Sequence, residues 1–148
     1  MKYARKIAFL ILGLATISMS QAQLQDCTLD IASTDTELLI KLFQLNEEQT
    51  TSLENLNAEI EVKNRVLYDQ IKWLFDNHPQ DTEEDLSNMA KKYDVMQRQI
   101  MANSRIYDQK FLGTLNERQY ERYTILCEEA MRKPLSVPDN FKTFRPPE

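Results

Sequence analysis

Apolar residues recur at spacings of three and four over two long stretches of the chain. The first stretch holds Leu53, Leu56, Ile60, Leu67, Ile71 and Leu74, with Lys63 interrupting once. The second holds Leu86, Met89, Tyr93, Met96, Ile100, Tyr107, Phe111 and Leu112, softened at Asn103 and Ser104. This spacing lines up apolar side chains on one face of an α-helix. The first stretch reads as a heptad-like seam of about thirty residues, roughly 45 Å long at the helical rise. Between the two lies Asp76-Asn77-His78-Pro79-Gln80-Asp81-Thr82. Pro79 disfavours helix at His78, and Asp81 or Thr82 caps the next helix with Glu84 or Asp85 at its third position. Two helices of similar length on a short turn fold back as an antiparallel hairpin.

Shorter elements flank the hairpin. Thr34-Asp35-Thr36-Glu37 reads as a capping box ahead of Leu38, Leu39, Leu42 and Phe43, the apolar stripe of a short first helix. A fourth helix uses Tyr120, Tyr123, Leu126, Ala130 and Met131 and stops at Pro134. Residues 23–33 show no period and are expected to lie across another element. The chain has 2 glycines, and Leu, Gln, Glu, Lys and Met abound, so the fold class is all-α. Residues 134–148 are rich in proline and are expected to be extended or disordered, with Phe141 and Phe144 able to dock on a groove.

The second and fourth helices open on near-copies of one pentapeptide, Leu45-Asn46-Glu47-Glu48-Gln49 and Leu115-Asn116-Glu117-Arg118-Gln119. Asn46 and Asn116 are strong N-caps, because the side-chain oxygen accepts from a free N–H of the first turn. Gln49 and Gln119, three residues on, can reach back to the cap's own N–H and complete a capping box. Leu115 and Tyr120 also stand where a hydrophobic staple needs them.

Charge and the amino terminus place the chain. Lys2, Arg5 and Lys6 precede an apolar run over residues 7–17, and Ser20-Gln21-Ala22 supplies small residues at −3 and −1. This is the layout of a secretory signal peptide cleaved after Ala22. An uncleaved membrane anchor is the competing reading, although the run is short for a bilayer span. Lipid attachment at Cys27 is disfavoured, since Leu24-Gln25-Asp26 lacks the small residues it needs. Export leaves about 126 residues, enough for one domain over 23–133. The mature chain would carry 15 Lys and Arg against 23 Asp and Glu, a net charge of −8. Such a surface does not suit phosphate backbones, so nucleic acid is not an expected partner.

The paired pentapeptides resemble the LTxxQ motifs of the Spy and CpxP family of periplasmic stress proteins. One family motif opens the helix that follows a short first helix, and the other opens the last helix. The positions of residues 45–49 and 115–119 match that order, with Asn in place of Thr in both copies. The resemblance implies a bent, cradle-shaped antiparallel homodimer in the periplasm. It implies either chaperoning of unfolded exported proteins without ATP, or sensing of metal or envelope stress through a membrane signalling partner. Several family members present basic residues to clients, whereas this chain is acidic.

Side-chain chemistry points to binding rather than catalysis. A hairpin this thin cannot bury both faces within one protomer, so exposed apolar surface must meet a second copy or a client. Met89, Met96 and Met101 with Tyr93 and Tyr107 would form an adaptable surface of that kind, or else simply the hairpin core or dimer seam. The chain has 1 histidine, His78, on the turn. No serine or cysteine has a histidine at catalytic spacing and no glycine-rich phosphate loop exists, so no catalytic site, metal site or cofactor is expected. Asp76, His78 and Asp81 would hold a metal only weakly. An exported chain with 2 cysteines, Cys27 and Cys127, is expected to join them in a disulfide that ties the leader to the last helix. Two buried free thiols, or a bridge between two chains, are the alternatives.

Overall fold

A computed structural model describes residues 24–143. The chain is all-α apart from one short strand pair. In order it forms β1 (Asp26–Cys27), α1 (Thr36–Phe43), α2 (Glu47–Asn77), α3 (Glu83–Leu112), α4 (Glu117–Glu129), β2 (Lys133–Pro134) and a 3-10 turn (Asp139–Phe141). The expected signal peptide lies outside the described residues, as do Phe144 and the last residues of the tail. Among the described residues no helix is long and apolar enough to cross a membrane.

Local chemistry sets the helix boundaries. Asn46 and Asn116 each accept from the N–H three residues on, at 2.8 and 3.0 Å, and Gln49 and Gln119 return the bond to the cap. Thr82 and Asp85 form a third capping box at the start of α3. At α1 the structure corrects the expected box: Asp35 is the cap, accepting from Glu37 and Leu38, while Thr34 donates to the Leu29 carbonyl instead. The helix dipole favours these acidic first turns, since the unpaired N–H groups there carry partial positive charge.

The last helix ends earlier than its apolar stripe suggests. Met131 adopts a left-handed φ of 53°, Met131 N–H donates to Glu128 and Arg132 N–H donates to Cys127. That is a Schellman closure of the helix end. Ala130 and Met131 therefore fall outside α4, and both are exposed. The reversal sends Lys133–Pro134 alongside Asp26–Cys27 in parallel register.

The core sits at one end of the rod. It gathers Ile31 from the leader, Leu39 and Phe43 from α1, Leu53 and Ile60 from the base of α2, and Phe111 and Leu112 from the end of α3, with Tyr123 and Leu135 closing it. Phe43 and Phe111 meet edge to face with ring centres 6.1 Å apart. Each such side chain, fully removed from water, contributes about 1.5–3 kcal/mol. The tail belongs to this core rather than being disordered through Thr143. Leu135 is fully buried, Gln109 donates to the Ser136 carbonyl, and Thr143 N–H donates to Gly113. A Cβ on Gly113 would collide with the Phe141 carbonyl, so this position needs glycine for the tail to seat.

Beyond Ile60 the hairpin thins to two helices. Leu74 and Ile100 are buried in the seam, and a polar pair interrupts it where Asn103 donates to Asn64 at 2.8 Å. The leader and α1 cover one broad face of the hairpin base, where Asn57 reaches Thr36 and Asp108 holds residues 29–31. Helical spacing turns Val62, Val66 and Trp73 of α2, and Val95 and Ile106 of α3, toward the other broad face. All five are exposed, Trp73 to 66%.

Candidate functional site

The two pentapeptides meet. Gln49 and Gln119, both buried, bond to each other through their amides: Gln49 Nε2 donates to Gln119 Oε1 at 2.8 Å and Gln119 Nε2 donates to Gln49 Oε1 at 3.0 Å. Each also donates to a carbonyl ahead of the other's motif, Gln49 to Thr114 at 2.8 Å and Gln119 to Phe43 at 3.0 Å. Each oxygen in turn accepts from its own cap N–H. The result is a closed polar network that locks two helix starts together, in a setting where an unmet amide would be costly. Leu115 is buried and Leu45 half-buried against the same core. Asn46→Ala or Asn116→Ala should each lower stability by about 1 kcal/mol, read as a shift of the urea midpoint.

Cys27 and Cys127 are joined by a disulfide, S–S 2.06 Å, with both residues buried. Beside it the Tyr123 hydroxyl donates to the Cys27 carbonyl at 2.6 Å and accepts from Leu135 N–H at 2.8 Å. One phenol thus ties the leader, α4 and the tail at a single point. Burial pushes the Tyr123 hydroxyl up to about 12, against the pull of the Leu135 N–H. Its ordinary value is 10.0, so the folded chain holds this proton more tightly than the unfolded chain. The stability it contributes is therefore complete below pH 10 and should fall as pH rises from about 10 to about 12. Urea midpoints across that window should drop more steeply for wild type than for Tyr123→Phe; parallel curves would refute the assignment.

Asp108, on α3, is a functional group that sequence reasoning missed. It is fully buried, and its carboxylate accepts the N–H groups of Leu29 at 2.8 Å, Asp30 at 3.0 Å and Ile31 at 3.1 Å. Burial pushes the carboxyl above its usual range, and the three N–H bonds pull against that. The one signal in the sequence is weak: an aspartate directly after Tyr107, with Leu112 rather than a basic residue one turn on.

The expected surface divides. Met101 is 64% exposed, whereas Met89, Tyr93 and Met96 are half-buried along the seam, with the Tyr93 ring 5.5 Å from Phe75. Tyr107 is 7% exposed and belongs to the core, so it does not line a client or dimer surface. The reason is its register: Tyr107 sits one turn before Phe111, and the ammonium groups of Lys110 and Lys63 lie 4.3 and 5.7 Å from its ring centre. Lys110 also pairs with Glu59 across the two helices. Leu86, expected in the seam, is exposed, and the exposed apolar residues of the hairpin away from the seam include Val62, Val66, Trp73, Val95 and Ile106. They follow a second pattern of the same helical period, weakened by the polar residues between them. His78 lies on the turn with its ring nitrogen against the Pro79 carbonyl, and no group of three or more metal-binding side chains occurs among the described residues.

The Asn46 and Asn116 pentapeptides thus act as one paired clamp at the base, and the exposed apolar residues lie on the hairpin beyond it. Comparisons of the chain with protein-family models, with curated proteins and with solved structures return no match.

Proposed function

We propose that the chain is an exported, ATP-independent chaperone of the periplasm, an envelope-stress protein that holds unfolded clients on the open faces of its hairpin. The observation that carries this reading is the outer apolar row, above all Val62, Val66 and Trp73 at spacings of four and seven on one helix face. Large apolar side chains in solvent without a covering layer suit a surface that engages another chain. The base supplies what such a surface needs, a rigid anchor stapled by the disulfide and the glutamine clamp. Its likeness to the LTxxQ pattern points the same way.

The same face would also serve a homodimer, with clients competing for it or binding on its far side. Sedimentation should give a dimer at micromolar concentration that Trp73→Glu dissociates; a fully helical monomer would refute assembly. The test of function is aggregation of a chemically unfolded protein without ATP. The mature chain should suppress it at near-stoichiometric ratio, and a Val66→Glu/Trp73→Glu variant with an unchanged melting profile should not. No suppression by the wild-type chain would sink the chaperone reading.

A further inference from the structure

Between the leader and both hairpin helices lies an open cleft of about 530 Å³. Its walls include Asp30 of the leader, Asn64 of α2, and Gln97, Ile100, Ala102 and Arg105 of α3. Asn64 is 3% exposed, yet its amide is only half used. Oδ1 accepts from Asn103, and Nδ2 has no partner among the described residues. Among the described residues the one side-chain polar atom enclosed without a partner is Asn57 Oδ1, so the Asn64 Nδ2 edge is not sealed, and Asn64 lines the cleft. Gln97 is the complement: Nε2 donates to the Tyr93 hydroxyl at 2.8 Å, and Oε1 has no partner among the described residues.

Asn64 thus offers a donor from α2 and Gln97 an acceptor from α3 to one cleft, and a peptide unit carries one group of each kind. A buried amide with an unmet N–H favours an occupant that supplies a carbonyl. The rim adds a sign. Arg105 is paired with Asp26, whereas Asp30, which also lines the cleft, makes no ion pair among the described residues. The described residues carry 14 basic against 22 acidic side chains, which deepens the negative field around that carboxylate.

We infer that this cleft is a recognition site for an extended peptide segment carrying a basic residue next to an aliphatic one. The peptide carbonyl accepts from Asn64 Nδ2, its N–H donates to Gln97 Oε1, its aliphatic side chain rests on Ile100, and its basic side chain meets Asp30. This goes beyond the client reading above, since the cleft is walled by the leader and lies apart from Val62, Val66 and Trp73.

The test uses the mature chain with its disulfide intact. The probe is a fluorescein-labelled, end-blocked decapeptide with one lysine between leucine and valine in a glycine–serine frame, beside a twin with glutamate for lysine. Anisotropy should show the lysine peptide binding about tenfold tighter than its twin. Asp30→Asn should level the two, and Ala102→Trp, which fills the cleft from an exposed helix position, should weaken the lysine peptide by about tenfold or more. The side-chain amide resonance of Asn64 should shift on titration, a readout that does not depend on either variant folding. No binding, or affinities that neither substitution moves, with a silent Asn64 resonance, would overturn the site. Aggregation suppression by the wild-type chain separates the two ideas. Suppression with an unresponsive cleft removes only the cleft, and a responsive cleft without suppression removes only the chaperone reading.

Discussion

Replacing Cys27 and Cys127 by serine should cost about 4–5 kcal/mol and leave the base of the hairpin open at physiological temperature. The bridge closes a loop across a sequence separation of 100, and in the chain-entropy account a loop that long constrains the unfolded state heavily. The folded consequences are local. The leader would lose its covalent tie to α4, leaving only the Tyr123 hydroxyl and the two-residue strand pair to hold it there, although Asp108 still grips residues 29–31. A two-stranded ladder of that length has little stability of its own. Urea unfolding of the double serine variant should therefore show a midpoint far below wild type, and reduction of the wild-type chain should reproduce it. A midpoint within error of wild type would mean the bridge constrains nothing that the core does not already hold.

Asp108→Ala should be the most damaging single side-chain truncation outside the apolar core, at about 3–5 kcal/mol. It strands three N–H groups, those of Leu29, Asp30 and Ile31, in a place the leader itself keeps from water. Asp30 holds a left-handed φ of 49° in this loop, a conformation the carboxylate helps to fix. Asp108→Asn keeps an oxygen for part of the set and should cost about half as much. Hydrogen exchange reads the effect directly. Protection of the amides of Leu29 and Ile31 should be lost in the alanine variant, while that of mid-hairpin amides on α2 and α3 should persist. Uniform loss across the hairpin would refute a local role.

The features legible in the sequence are those whose physics is local. Asn46 and Asn116 are readable as caps because a cap and its partner stand three residues apart, while between Asp81 and Thr82 the structure selects Thr82. The seam was readable because helical period alone puts Leu53, Ile60 and Leu74 on one side. At α1 the same logic slipped by one residue, since Thr34 and Asp35 compete for one role and only the fold gives Thr34 another acceptor. Non-local chemistry was out of reach. Nothing in either pentapeptide says that Gln49 and Gln119 share a bond across 70 residues. Tyr107 keeps the period of the seam and is covered, whereas Met101 stands off that period and is exposed, so grouping the two by side-chain type hides the difference. The proline-rich tail lies between these cases. Its composition suggests an extended or disordered chain able to dock through Phe141, and it is the extended, docked form that Leu135 and Gly113 seat.

The parallel pairing of β1 with β2 also governs the order in which the molecule can come together. The hairpin needs only its own contacts, across one tight turn, and can zip early. The base cannot: Cys27 waits for Cys127, Asp26 for Lys133, and the Cys27 carbonyl for the Tyr123 hydroxyl. A chain threaded outward from its amino terminus would carry a formed rod with an unfinished root until residues 123–134 emerged. During that interval Ile31, Phe43 and Phe111 lack their lid, so the nascent molecule would itself resemble the kind of client it is proposed to hold.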